Sequence, residues 1–504
     1  MHAMNRSHRW FALVLLIFWL LCGTLMAQVL ITNQGHFRYT LDDPYIHLAL
    51  AENIARGVYG VNLSEPSAPA SSIIWPLLLV PFARQPWGDL VPLALNIVAA
   101  SAALWVIYQI CLAAMEMAGE RAQAAAAALT MALVLTGNLL GLVFNGMEHV
   151  LQLLLALTVV LGLIRTAYSG GVPRWIWPAL LLAPLVRYES AALILPALGV
   201  LWWHGEQRGA LVCGALIAAM LAGFSLALLS AGLGALPTSV TLKLGGDGVD
   251  TTPLVSIGYN LMSRQGALLI CLGLLLLLGG GDERLRAARG AVGFATILHI
   301  LFGRIGWLGR YEIAAWGAAL LMVVASHGPA LWRAIFSGTA VRAAVALAAL
   351  TIVLGKEYID IALSTPALSQ VQYIQQQQMA RFATEYYLGN VAVNDLGQVS
   401  YHNDAYILDL YGLASREAAT LRMTSTDPAW MERLAAEHDV GLIMIYDSWF
   451  DGVPPTWIKL GELRPRGGDS YEVSFYARPM DRARAETALD AWIPTLPPRA
   501  EFVR

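Results

Sequence analysis

Residues 40–57 read Thr-Leu-Asp-Asp-Pro-Tyr-Ile-His-Leu-Ala-Leu-Ala-Glu-Asn-Ile-Ala-Arg-Gly. Two adjacent carboxylates, Asp42 and Asp43, open this stretch, and His47 follows Asp43 by one helical turn. Asp is favoured as a helix cap and Pro at the first helical position. The spacing therefore predicts a helix capped by Asp43, begun by Pro44 and terminated at Gly57. Ile46, Leu50 and Ile54 recur at helical spacing, with His47, Glu52, Asn53 and Arg56 between them. That is the pattern of an amphipathic helix lying in an interface. Asp42 stands just outside this helix and is not needed to start it. A carboxylate free of structural duty suits general-base work, which requires an acid able to take a proton from a hydroxyl. Asp43 is first a cap, with a catalytic part open to it. Asp43 and His47 share a helix face and could hold a divalent cation such as Mg²⁺ or Mn²⁺. The plainer reading of His47 is a hydrogen bonder.

A second set of chemistry-bearing residues is scattered further along. Glu148 precedes His149, Arg187 is followed by Glu189, Lys243 lies in the Gly-rich stretch Leu242 to Gly248, and Arg304 precedes Gly309-Arg310-Tyr311-Glu312. Fixed cations stabilise developing negative charge, and Lys243, Arg310, Arg187 and Arg304 are the candidates. A basic side chain at mid-bilayer costs ~2.5–3.5 kcal/mol, so these residues belong at span ends or along a wet cavity. Each has a bland alternative. Glu148 could simply complement a helix N-terminus, worth ~0.3–1 kcal/mol. Arg187 with Glu189, and Arg310 with Glu312, could be structural ion pairs. Lys243 could be merely solvated.

The elements that must position these residues are membrane helices. The chain has 504 residues, 57% hydrophobic and 13% charged, with mean hydropathy +0.57; soluble proteins carry roughly 25% charged residues. A net charge of -3 argues against nucleic acid as a partner. Cys22, Cys111, Cys213 and Cys271 all fall in apolar runs at no metal-ligand spacing, so neither a disulfide nor a zinc site is expected. Trp10–Ile31 reads as an uncleaved first span of ~22 residues, with Arg6 and Arg9 holding the N-terminus in the cytoplasm. Further apolar runs bring the total to about eleven spans: 90–117, 122–144, 150–164, 175–186, 190–203, 210–233, 266–279, 291–303, 313–326 and 334–354. Ser72–Phe82 is too short to cross.

Most loop arginines then fall on the cytoplasmic side, as the positive-inside rule requires. The exceptions, Arg187 and the Arg304/Arg310 pair, fall on the same face as Asp42. From Glu357 hydropathy drops. Strand-like runs at 391–395, 406–409, 440–446, 457–463 and 471–477 alternate with helical ones at 428–438 and 480–489, the signature of an α/β domain. The expected organisation is a membrane part, residues 1–356, whose outer loop 33–72 carries the acids, followed by an extracytoplasmic α/β domain, residues 357–504.

In this order the motifs resemble a family. They are Asp42-Asp43-Pro44-Tyr45-Ile46, Gly57, the run from Ala68 to Pro76, Gly146-Met147-Glu148, Arg187-Tyr188-Glu189, Leu236-Pro237-Thr238 with Lys243, Gly309-Arg310-Tyr311-Glu312, Val393 to Gly397, and Asp409 to Leu413. The chain resembles the GT-C superfamily of polyprenyl-phosphate-sugar-dependent glycosyltransferases, in its arabinofuranosyltransferase-like branch. It departs from many relatives in having Asp-Asp where they have Asp-Glu.

The resemblance implies an inverting enzyme of the bacterial inner membrane that moves a sugar, such as arabinofuranose, from a polyprenyl phosphate to an envelope glycan, lipid or protein. It places Asp42 as base with Asp43 beside it. It implies phosphate binding by Lys243, Arg310, Arg187 and Arg304, and substrate contact or support by His47, Glu148, Glu189, Tyr311 and Glu312. Two other readings compete: a transporter or flippase of lipid-linked sugars, and a membrane anchor presenting a binding domain. Against the transporter, the halves show no repeat and the polar residues gather at one surface.

Overall fold

The structure, a computed structural model, describes residues 2–115, 119–245, 253–336, 339–467 and 472–504. The protein is polytopic and mainly helical, with a six-stranded sheet near its C-terminus. Contacts divide it into two units. The first comprises Met1–Ala27, Leu93–Gly223 and Thr252–Thr365; the second comprises Gln28–Pro92, Phe224–Thr251 and Pro366–Arg504.

Within the described residues each expected apolar run falls mainly on helix, but not every helix is long enough to cross a bilayer. Among the described residues, five are: Arg9–Thr32, Gly88–Ala113, His149–Ser169, Gln207–Ser230 and Glu283–Phe302. Two bent pairs, Glu120–Thr136 with Leu139–Asn145 (49°) and Val255–Met262 with Arg264–Leu278 (85°), raise the number to seven. Ile176–Val186, Tyr188–Trp203 and Ile313–Gly328 are shorter apolar helices. The connection expected at 327–333 is helical instead, since Ile313–Phe336 runs through it. Helix Ala340–Ile374 likewise continues unbroken past Glu357.

In the first unit, helix His149–Ser169 packs on Ile313–Phe336, and Arg286–Phe302 packs on both Arg264–Leu278 and Ala191–Trp203. The 49° bend has a local cause. Asn138 adopts the left-handed conformation, φ 49°, which few side chains tolerate as well as Asn. Its side-chain amide then donates to the carbonyls of Leu308, 2.8 Å, and Gly309, 3.1 Å. One broken helix thus anchors the loop that carries Arg310.

The second unit is built on strands β1 (Val391–Val393), β2 (Ile407–Asp409), β3 (Leu442–Ile445), β4 (Ile458–Pro465), β5 (Val473–Ala477) and β6 (Ala500–Val503). Their order is β2-β1-β3-β5-β4-β6. β1 is parallel to β2 and β3; β5, β4 and β6 continue antiparallel. Both faces are covered. Leu442 and Met444 point to a core that holds Phe382, Phe475 and Trp492, whereas Ile443 and Ile445 point to one that holds Trp430, Met431 and Leu434. This is the period-two alternation of a strand. β6 and helix Arg416–Thr424 were not expected from the sequence; β6 is four residues long and directly follows a Pro-Pro-Arg turn.

The acidic stretch also belongs to this unit, and two expectations about it are corrected. Helix Asp43–Ile54 begins at Asp43 itself, with Asp42 at the N-cap position and no side-chain cap bond. It is not an amphipathic helix lying in lipid: every residue from Pro44 to Asn53 is buried. Helices Ile74–Leu79 and Gly397–Ser400 pack over it. Asn53 and Glu52 are satisfied by protein. The Asn53 amide donates to the carbonyls of Gly60, 3.1 Å, and Val61, 2.6 Å. Glu52 accepts from the His402 backbone, 3.1 Å, and from Arg56, 3.2 Å.

Candidate active site

Asp42 is 4% exposed. Its Oδ1 accepts the Gln398 backbone N–H at 2.9 Å, and its Oδ2 accepts that of Gly397. The carboxyl also hydrogen-bonds the side chain of Asp395. Asp42 is therefore not free of structural duty: it clasps the acidic stretch to the turn after β1. That turn is set by Asn394, whose side-chain oxygen accepts the Tyr446 N–H at 3.1 Å. The Gln376 amide donates to Asp395 at 2.9 Å and lies 2.7 Å from the Tyr446 hydroxyl, which donates to Gln375 at 3.1 Å.

Asp395, close after β1, and Asp409, the last residue of β2, stand where strand-end and turn residues do. Asp409 is one, accepting the N–H groups of Tyr411, 2.9 Å, Gly412, 3.1 Å, and Ala414, 2.7 Å. Asp395 is instead the partner of Asp42.

Two buried carboxyls in contact cannot both ionise readily. Burial pushes Asp395 up to about 6, and the charge of Asp43 adds to this, against hydrogen bonds from Asp42 and Gln376. Burial first, and then the charge of Asp395, raise Asp42 well above the usual carboxylate range, while the two backbone donors oppose the rise. The pair thus keeps a proton that solvated acids release near pH 4.

A consequence for stability follows. Raised acids make the folded state bind more protons than the unfolded one, so for Asp395 stability falls as pH rises from about 4, the unfolded value, to about 6, and Asp42, raised well above the usual range, adds a fall in the same direction. Asparagine at 395 would mimic the protonated acid, accepting from Gln376 and donating to Asp42. Asp395→Asn is expected to leave the melting temperature unchanged at pH 4 and to raise it by a few degrees at pH 8, read by thermal unfolding in detergent.

Gly397 is the other half of the clasp. A Cβ there would fall on the backbone carbonyl and carboxylate of Asp42. Gly397→Ala should destabilise the protein by ~1–3 kcal/mol through overpacking, read as a lower unfolding midpoint.

Of the other residues in this unit, Asp43 is the first residue of the helix and His47 is buried on its next turn. Lys243 lies in helix Thr238–Gly245 rather than in a Gly-rich loop; its side chain is outside the described residues, as is 246–248. Among the described residues no group of three His, Cys, Asp or Glu side chains is arranged to hold a metal ion. Both oxygens of Asp42 already face backbone donors.

The first unit gathers another set. Arg187, 2% exposed, meets Glu148 at 2.7 Å and grips Glu189 with two bonds, 2.7 and 3.2 Å. Glu148 stands at the N-cap of helix His149–Ser169, yet its carboxylate pairs with Arg187. The Arg187 guanidinium lies 5.7 Å from the Tyr311 ring centroid, and that of Arg310 lies 5.0 Å from it. Arg310 also hydrogen-bonds the Tyr311 hydroxyl, 3.1 Å, and the His149 ring meets Tyr311 edge-on at 6.0 Å.

The loop before Arg310 is wound left-handed at Gly306, Trp307, Leu308 and Gly309, with φ 97°, 50°, 59° and 59°. Such backbone persists only where the surroundings fix it. Here Asn138 holds two carbonyls, and Glu312 accepts the Gly306 N–H, 2.9 Å, and the Tyr358 hydroxyl, 3.0 Å. Arg304 is half-buried, and its carbonyl lies 3.1 Å from the His299 ring. The structure therefore brings Glu148, Arg187, Glu189, Arg310 and Tyr311 into one cluster, with Glu312 fastening the loop beneath Arg310.

Comparison with known proteins adds the following. A family model described as "Domain of unknown function (DUF8728)" matches residues 366–476. No curated protein matches. Among solved structures the chain is similar to the Archaeoglobus fulgidus oligosaccharyltransferase in its complex with Zn and sulfate, at 11% identity over 92% of this chain and 73% of that one, TM-score 0.48. It is similar to the oligosaccharyltransferase AglB of that organism in complex with an inhibitory peptide and a dolichol-phosphate, at 12% identity over 93% and 74%, TM-score 0.47. It is similar also to the arabinofuranosyltransferase AftD from Mycobacteria, at 14% identity over 93% and 40%, TM-score 0.43.

Proposed function

We propose that this chain is an inverting glycosyltransferase. It moves a sugar, a pentofuranose such as arabinofuranose, from a polyprenyl phosphate to an envelope glycan, lipid or protein. The reaction runs at the outer face of the bacterial inner membrane, with the N-terminus in the cytoplasm and the C-terminal domain outside. The observation that carries this reading is Asp42: a buried acid, fixed by two backbone donors and coupled to a second acid.

Once the Asp42–Asp395 pair has shed its shared proton, it is a base held in one orientation. It takes the proton of an acceptor hydroxyl as that oxygen attacks the anomeric carbon. The bond from that carbon to the phosphate oxygen breaks, and the lipid phosphate leaves with the electron pair. One displacement inverts the centre. Charge on the leaving phosphate is met by cations, for which Arg310, Lys243 and Arg304 are the proposed residues. Arg187 ranks below them, because Glu148 and Glu189 already match its charge. Asp43, next in sequence to the base, supports it through the charge it adds beside Asp395.

Mass spectrometry of envelope glycans from cells with and without this chain tests the reading. Loss of one specific sugar residue without the chain is expected. Unchanged glycans, with a lipid-linked sugar trapped on the cytoplasmic side, would support the flippase alternative instead.

A further inference from the structure

A cleft of about 470 Å³ opens in the second unit, within the ~300–1,000 Å³ range of small-ligand sites. Neither the acid pair nor the arginine cluster accounts for it. Tyr45, Tyr373 and Tyr401 are among the residues that line it. His36 stacks on Tyr373 with centroids 5.5 Å apart, and His402 stacks on Tyr401 at 3.8 Å. The charges in the cleft cancel locally. Arg38 faces Asp89 at 3.8 Å, and Arg381 faces Glu385 at 3.4 Å. His36 is held below the ordinary histidine value by burial and by Arg38 and Arg381, so it adds no charge at neutral pH.

The polar groups that remain are of both kinds. Among the described residues, the Gln377 side-chain oxygen and the Arg38 Nε are buried without a hydrogen-bond partner. One accepts and the other donates, and a hydroxyl can satisfy either. Leaving such atoms unsatisfied is costly, which favours a ligand rich in hydroxyls. Aromatic lining residues, no net charge and paired donor and acceptor positions together describe a site for a neutral sugar chain, not for a phosphate or a uronic acid. The cleft is also tied to the acid pair. Gln398 lines it, and the backbone N–H of that same residue holds Asp42.

We propose that this cleft binds a short neutral oligosaccharide, the acceptor strand, an assignment that rests on the transferase reading above. The acceptor would lie along the tyrosines, and Gln377 and Arg38 would bond its hydroxyls.

The test is isothermal titration of the full chain in lipid nanodiscs, with no donor present. Arabinotetraose, xylotetraose and maltotetraose serve as neutral probes; tetragalacturonate and inorganic phosphate serve as anionic ones. Saturable binding of at least one neutral probe is expected, and none of either anion. Gln377→Ala and Arg38→Gln should each weaken that binding about fivefold, with the melting temperature of Gln377→Ala unchanged. The proposal is overturned if no neutral probe saturates, if an anion binds most tightly, or if Gln377→Ala binds as well as wild type. Neutral binding by a chain that never transfers sugar would sink the transferase reading and leave the cleft as a saccharide site. Transfer that proceeds normally in both variants, with binding unaltered, would sink the cleft alone.

Discussion

Asp42→Asn is expected to lower the proposed sugar transfer by ~10²–10⁴-fold, the usual share of a positioned general base. Asparagine has nearly the same shape but cannot take a proton. It also has one acceptor oxygen where two backbone N–H groups need one each, so part of any loss could come from a loosened clasp, worth ~1–3 kcal/mol for a buried donor left unmet. Gly397→Ala separates the two effects. It disturbs the same contact but keeps the acid. The expected pattern is a large drop in transfer for Asp42→Asn at a fully folded population, and a far smaller one for Gly397→Ala even where its melting temperature falls further. Equal losses in the two variants would make Asp42 a structural clasp and no base.

The second large effect is on stability. Arg187→Ala removes the guanidinium that meets the fully enclosed Glu148, a loss of ~3–5 kcal/mol for a broken buried pair. Glu189 is about one-third exposed and can rehydrate. The double variant Glu148→Gln with Arg187→Met, which removes both charges, should recover most of the stability, because replacing a buried pair by neutral groups is often close to neutral. Denaturant or thermal unfolding of the three variants in one detergent measures this. Were the double variant no better than Arg187→Ala, the pair would not be the source of the loss. Were Arg187→Ala as stable as wild type but poor in its use of donor, Arg187 would return to the list of phosphate ligands.

What the sequence discloses about this chain follows the range of each interaction. The start of helix Asp43–Ile54 was legible to within one residue, because the preferences of Asp and Pro at a helix start are local. The enclosure of that helix was not. Its cover comes from residues such as Gly397, Gln398 and His402, some 350 positions away, and a polar face hidden by protein has the same periodicity as one facing water. The same distance concealed the partnership of Asp42 with Asp395. The one hint was Asn394-Asp395-Leu396-Gly397 itself, a turn whose glycine is required by close approach of the Asp42 backbone.

The apolar runs suggested about eleven spans, whereas among the described residues five helices, or seven with the bent pairs, are long and apolar enough to cross. Their lengths were harder to read, since one helix is broken by a left-handed asparagine and others are short. Five of the six strands were legible from β-branched and aromatic runs, four of them within the described residues from end to end; the fifth was expected to begin at Tyr471, which lies outside the described residues.

The central claim is that an acid at position 42 drives transfer of a sugar off a lipid phosphate. Reconstitution tests it most directly. The purified chain in proteoliposomes is given polyprenyl-phospho-arabinofuranose labelled at the anomeric carbon, with a neutral arabinan acceptor. NMR of the product should show the label in a new glycosidic bond of inverted configuration, with one polyprenyl phosphate released per bond, and almost none of this with Asp42→Asn. Labelled lipid that crosses the bilayer intact, a product of retained configuration, or undiminished transfer by Asp42→Asn would contradict it.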